Sequence, residues 1–313
     1  MNKLKSLFHK NTLISNTLYF TFSSAISKII SVFLIYIYVN YLSVEEYGLF
    51  DYFFIIATLI NLTFSFEITQ GLARYLPSFK GLINKKILLS TSIYLLLFSS
   101  IIFLIILFIF KSFVTNYIFN FSIGKFTYNL MSLFFLLNFF HLFFKNNFRW
   151  LANGKDFFIQ SLIFIVSNSL LLYYFLVIKN YNINGALMAN IISSFLAILY
   201  CFNKQKIFFG NYFSKKIAKF LLKFTTPLIL SSSAVYFATF LDRIFISKFL
   251  GYEDLAVYSL GHRFSAALGF IIFGLVSAYA PQIYKNPYLS TVNKLFDDLF
   301  NLILLFSFVT YVG

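Results

Sequence analysis

The sequence predicts an all-α, polytopic membrane helix bundle, and three observations carry that reading. Apolar residues make up 60% of the 313 positions and charged residues only 11%, against about 45–50% and about 25% in an ordinary soluble domain. So few charges cannot cover a soluble surface of this size, and the mean hydropathy is +0.82. The apolar residues also fall in long runs bounded by Lys, Arg or Asp. These runs do not alternate in polarity, as the roughly ten-residue strands of a membrane β-barrel would.

A helix of about 20 apolar residues crosses the hydrocarbon core. Ile87–Phe110, Phe126–Phe144, Phe157–Ile178, Asn180–Asn203 and Phe264–Tyr284 meet that length without an internal charge. Three further spans carry charges: Asn16–Leu42 holds Lys28, Leu49–Leu72 holds Asp51 and Glu67, and Phe224–Phe249 holds Asp242, Arg243 and Lys248. A ninth apolar run begins at Leu299 and continues to Gly313. Pro281 is expected to kink the eighth span. Every loop is short. The longest, Asn203–Lys223, is basic and is expected to lie along the inner surface.

The net charge of +15 would suggest nucleic acid in a soluble chain. Topology accounts for it instead. With the N-terminus inside and the spans alternating, 18 of the 25 basic residues fall in inner segments. Only Lys111, Lys125, Lys179 and Lys248 fall outside, and Lys28, Arg243 and Arg263 are left in or at the edge of the membrane. That bias sets the N-terminus in the cytoplasm. Lys3, Lys5 and Lys10 precede an apolar run too long for a cleavable leader, so the first span is expected to be retained.

One cysteine, Cys201, excludes an intramolecular disulfide. His9, His141 and His262 lie far apart without metal-ligand spacing, and no phosphate-binding Gly-x-x-x-x-Gly-Lys-Ser/Thr loop occurs. No metal and no cofactor are expected, and an enzyme is not expected. A membrane polymerase or glycosyltransferase would need a sizeable outer loop for its catalytic residues, and each loop here is short.

An internal repeat is visible. Tyr41-Leu42-Ser43-Val44-Glu45-Glu46-Tyr47-Gly48-Leu49-Phe50 aligns without a gap on Phe249-Leu250-Gly251-Tyr252-Glu253-Asp254-Leu255-Ala256-Val257-Tyr258, 208 residues later. Six spans separate the copies. An even number gives two repeats of the same orientation, related by an axis along the membrane normal. This predicts a six-helix lobe over residues 1–218 and an incomplete second lobe over 219–313, with about three helices lacking from the second copy.

The stretches Asn16-Thr17-Leu18-Tyr19, Tyr41 to Phe50, Gln70-Gly71-Leu72-Ala73-Arg74-Tyr75 and Asp242-Arg243-Ile244 through Leu250-Gly251 to Tyr258-Ser259 resemble bacterial polysaccharide flippases of the Wzx type. These belong to the superfamily that includes MATE exporters and the lipid II flippase. The resemblance implies a two-lobe MATE-like architecture, with about nine of an expected 12–14 helices present, as in a C-terminally truncated product. It implies movement of an undecaprenyl-diphosphate-linked oligosaccharide across the bacterial inner membrane by alternating access. The implied partners are that lipid-linked substrate, a proton or sodium gradient, the bilayer and other polysaccharide-assembly membrane proteins, with no nucleic acid. A MATE-like exporter of small cations and a non-functional truncated product are the alternatives.

Ionisable groups in the bilayer cost about 2.5–3.5 kcal/mol on insertion scales, so they face a cavity or a partner. Lys28, at mid-depth, Arg243 and Arg263 are the candidate substrate-cavity cations, suited to a diphosphate. Asp242, Glu67 and Arg74 are the candidates for coupling or gating. Asp242 and Arg243 are about 100° apart around a helix, so each is expected to find its partner on another helix. Glu45, Glu46, Glu253 and Asp254 read as solvated outer-loop charges, and Arg149-Trp150 with Lys155 as an inner-surface anchor.

Overall fold

A computed structural model describes residues 2–119 and 123–267, together with residues 297, 300, 301 and 304. All regular structure among the described residues is helical. The helices are α1 (Asn2–Tyr41), α2 (Val44–Phe64), α3 (Ile68–Tyr75), α4 (Leu82–Ile109), the single turn α5 (Lys111–Phe113), α6 (Lys125–Trp150), α7 (Gly154–Leu172), α8 (Asn182–Gln205), α9 (Lys215–Phe249) and α10 (Tyr252–Ala267). Seven of the described helices are long and apolar enough to cross a membrane. The inner and outer ends named below follow the charge bias, with α1 running outward. Most of the eighth expected span, with Pro281, and the ninth apolar run lie outside the described residues.

Short polar signals set the helix starts. Ser43 caps α2, accepting from the Glu46 N–H at 3.1 Å, while the Glu46 carboxylate accepts from the Ser43 N–H at 3.2 Å. This reciprocal pair satisfies two otherwise orphaned donors. Asn153 caps α7 and Ser214 caps α9. Glu45, Glu46, Glu253 and Asp254 therefore sit in the first turns of α2 and α10. There they complement the positive helix ends, instead of floating in loops. The eighth span likewise begins earlier than its charge-free text, because α10 already starts at Tyr252.

The second apolar run is not one helix. It breaks at Ser65–Glu67, where Phe66 and Glu67 adopt left-handed conformations with φ of 52° and 49°. Non-glycine residues enter that region at a cost of about 1–3 kcal/mol. The chain turns there, and α3 packs its small face, Gly71, against Leu221 and Thr225 of α9. Tyr75 follows onto Phe220 and Phe224, with ring centroids 4.3 and 5.2 Å away.

The first six spans pack through two kinds of surface. α8 presents Gly185, Ala189, Ser193 and Ala197 at four-residue spacing, all buried, and packs on α6 and α7. Small residues at that spacing let helix backbones approach without an aqueous driving force. Elsewhere phenylalanine fills the volume: Phe53, Phe103, Phe135 and Phe139 are buried and meet edge-on or tilted. Phe108, Phe33 and Tyr36 are 85%, 72% and 72% exposed, which suits lipid-facing positions.

The connection from α8 to α9 is held, not free. The Ser90, Thr91 and Tyr94 hydroxyls of α4 donate to the Phe208 carbonyl, the Tyr212 carbonyl and the Asn211 side chain at 3.2, 3.4 and 3.2 Å. Thr91 also accepts from the Ser214 N–H at 3.1 Å.

Gly48 of α2 lies against the backbone of α10, where a Cβ would overlap the Tyr252 carbonyl. Gly261, on α10, has open space around its Cβ position. Gly48→Ala should lower stability by about 1–3 kcal/mol by forcing the two helices apart. Gly261→Ala should raise it by about 0.4–1 kcal/mol through backbone entropy. Apparent melting midpoints of the detergent-solubilised variants check the opposite signs.

Candidate functional site

The seam where α2 meets α9 and α10 gathers most of the ionisable groups that the sequence places in the membrane. Its outer end is built on Asp51, a buried carboxylate on α2. Asp51 Oδ2 accepts from Ser259 Oγ at 2.6 Å, and Oδ1 accepts from Arg263 Nη2 at 2.9 Å. Ser259 and Arg263 are four residues apart on α10 and so share a face. Helical side chains lean toward their helix N-terminus, which for α10 is the outer end, so Arg263 reaches back toward Asp51. Its guanidinium carbon also lies 5.2 Å from the Tyr47 ring centre and 5.7 Å from that of Tyr38, both favourable for a cation.

The repeat reappears in this contact. α1 and α9 end at Tyr41 and Phe249, and α2 and α10 begin at Val44 and Tyr252, so both boundaries are offset by 208 residues. Asp51 and Ser259 are separated by the same 208 residues. Positions that the 208-residue offset makes equivalent thus meet each other.

Asp242, on the exposed side of α9, accepts from the Tyr258 hydroxyl of α10 and from the Arg243 N–H. The Arg243 side chain turns elsewhere. It is 5% exposed, its guanidinium carbon lies 5.1 Å from the Phe240 ring centre, and among the described residues its Nε and Nη2 have no hydrogen-bond partner. α9 runs outward, so Arg243 leans inward along the helix. It leans toward a cavity of about 290 Å³ between α2 and α9, lined by Thr58, Ser231, Ser232, Tyr236, Thr239 and Phe240 among others. Tyr236 crosses the seam, donating to the Ile55 carbonyl at 3.1 Å.

At the inner end stands Glu67, half-buried in the turn between α2 and α3, with Ser232 of α9 as a polar neighbour. Arg74 lies two turns further along α3 and is exposed. Lys28, half-buried on α1, lies within Coulombic reach of Arg263 and His262. From the 1.5 Å helical rise, Lys28 and Arg263 sit about 20 and 17 Å below the outer ends of their helices, a common level.

The seam therefore holds Asp242 and Arg243 in its outer half and Arg263 near mid-depth, with Lys28 of α1 at the level of Arg263, and sets Glu67 and Arg74 apart at its inner end. Sequence reasoning missed Asp51, Ser259, Tyr258 and Tyr236. The 208-residue offset, extended by a single position beyond Phe50 and Tyr258, would have paired Asp51 with Ser259.

Removing the Asp51 charge strands Arg263 in a largely desolvated site. Asp51→Asn should destabilise by about 1–3 kcal/mol, below the 3–5 kcal/mol of a fully buried pair because the Arg263 side chain is 23% exposed. Arg263→Gln should cost a similar amount. The double variant should cost less than the sum, which a melting-midpoint cycle measures.

Residues 13–286 match a family model described as polysaccharide biosynthesis protein. No characterised protein matches in a sequence search of curated proteins. Among solved structures, the chain is similar to the MATE multidrug transporter DinF-BH, with 15% identity and a TM-score of 0.77, covering 96% of this chain and 72% of that one. It is similar also to a MATE in complex with Br-NRF, with 14% identity and a TM-score of 0.64 over 96% and 75% of the two chains. A MATE in complex with MaL6 gives 14% identity and a TM-score of 0.65 over 94% and 70%. These likenesses establish the fold, and the family match establishes the lineage. This multi-pass membrane protein has the MATE fold and belongs to the polysaccharide biosynthesis protein family.

Proposed function

We propose that the chain moves an undecaprenyl-diphosphate-linked oligosaccharide from the inner to the outer leaflet of the bacterial cytoplasmic membrane by alternating access. In this reading residues 1–218 form one lobe and residues 219–313 belong to the second. The observation that carries it is Arg243: a buried guanidinium with unused donors, set over the ring of Phe240, which lines a cavity bearing the hydroxyls of Thr58, Ser231, Ser232, Tyr236 and Thr239. A cation desolvated in this way is costly unless an anion completes it. A diphosphate supplies acceptor oxygens in the planar geometry that a guanidinium matches.

Lys28 adds positive charge at the same seam, while the charge of Arg263 is already balanced by Asp51. The Asp51–Ser259–Arg263 contact is then an outer latch, closed in this structure. Opening the outer side requires α10 to leave α2, which breaks the ion pair and frees Arg263 to receive the departing diphosphate. Asp242, Glu67 and Arg74 act in coupling and gating. Glu67 does so through Ser232 at the inner end, and Asp242 through Tyr258 at the outer one. A proton or sodium gradient drives the cycle.

The test is surface glycan in a strain deleted for the gene and its paralogues, complemented with variants. The wild-type gene should restore it. Arg243→Ala should lower it about ten- to a hundredfold, as for loss of charge-assisted hydrogen bonds, with lipid-linked oligosaccharide accumulating inside. Arg243→Lys should fall between. Normal surface glycan from Arg243→Ala at matched protein level contradicts the proposal.

A further inference from the structure

A second cavity lies away from the seam, at the outer end of the first six spans. It measures about 530 Å³ and is lined by Glu46, Phe126, Thr127, Tyr181, Asn182 and Asn184 among others. That size falls within the roughly 300–1,000 Å³ of pockets that hold small organic ligands. The first turns of three helices, α2, α6 and α8, converge on it.

Its chemistry is mixed in a particular way. Phe126 and Tyr181 are 56% and 46% exposed, so each offers ring surface to the pocket. Tyr181 is held in orientation: its ring stacks on Phe175 with centroids 6.1 Å apart and planes 18° from parallel, and its N–H donates to the Phe175 carbonyl at 3.0 Å. Around these rings stand donors and acceptors in both senses. The Asn184 Oδ1 is buried and, among the described residues, has no hydrogen-bond partner. Glu46 uses one oxygen on the Ser43 N–H and keeps acceptor capacity on the other. The α6 and α8 N-termini have no side-chain cap, so their first N–H groups remain donors.

Two ligand classes use aromatic rings beside a carboxylate, organic cations and sugars. A cation is disfavoured because three positive helix ends point at this space, and the one carboxylate already serves its own helix as part of a capping box. A neutral sugar fits every feature. Its hydroxyls both donate and accept, answering the orphaned Asn184 oxygen and the free N–H groups together, and its C–H faces lie on aromatic rings.

We propose that this pocket is a binding site for a neutral glycan unit on the outer face, formed by the Tyr181 and Phe126 rings with Asn184, Asn182, Thr127 and Glu46. It deepens the flippase reading, on which it rests for the presence of glycan at this face. It gives the translocated sugar a resting place separate from the diphosphate's cleft.

Saturation-transfer NMR on the full chain in lipid nanodiscs tests this, with a panel of neutral di- and trisaccharides including N,N′-diacetylchitobiose, lactose, maltose and cellobiose, and with tetraphenylphosphonium as the cation. At least one saccharide should receive saturation. Tyr181→Ala should weaken its binding about three- to tenfold, the scale of one lost ring contact. Asn184→Ala, which leaves the rings in place, should weaken it as well, with gel filtration and melting midpoints verifying both folds. No saccharide signal, a signal unmoved by both variants, or Tyr181-dependent binding of the cation in place of saccharides overturns the proposal. If saccharides bind here while the intact gene restores no surface glycan, the flippase reading falls and the pocket stands. If the gene restores glycan and no saccharide binds, only the pocket falls.

Discussion

A carboxylate buried in a membrane protein must be answered by donors, and Asp51 is answered entirely from another helix. That one requirement orders the outer half of the molecule. Two donors four residues apart on α10 fix that helix in rotation and in register against α2. The contact is possible because Gly48 has no side chain where the Tyr252 carbonyl passes. Tyr47 and Tyr38 lie over Arg263, so two ring faces support the charge beside the carboxylate. In a low-dielectric seam such a contact is strong when made and costly when half-made, which is the property a two-state latch needs.

The same physics gives the remaining ionisable residues different characters. Asp242 is exposed and paired with Tyr258, so its contact is weaker than that of Asp51. Arg243, one residue on, is buried and incomplete. The two sit side by side in sequence but on different faces of α9, one serving the seam's rim and the other its interior. Of a net charge of +15, the greater part reflects orientation in the bilayer. A handful of positions carries the chemistry.

Much of the fold was legible in the text. The apolar runs marked the helices because hydrocarbon forces backbone polar groups to pair within a segment. The repeated loop text carried the 208-residue offset that reappears in the helix boundaries. What lay hidden was rotational. With phenylalanine at 47 positions, lipid-facing and core-facing sides look alike, so no periodicity tells which face of α2 meets α10. The break at Phe66 and Glu67 was hidden for a related reason: neither residue is a glycine or a proline, and the left-handed turn follows from α3 docking on α9. Asp51 was visible as a charge near the start of a span. Of its two partners, Ser259 stood at the repeat offset, while Arg263, 212 positions away, had no such signal.

A latch at Asp51 would hold the outer ends of α2 and α10 together. Glu45 and Glu253, equivalent exposed residues in the first turns of α2 and α10, report on that directly. Spin labels at Glu45→Cys and Glu253→Cys, in a chain carrying Cys201→Ala, should give one short distance by double electron–electron resonance. Adding Asp51→Asn should create or enlarge a longer-distance population. An unchanged distance distribution in that variant, with the protein still folded, would contradict the latch.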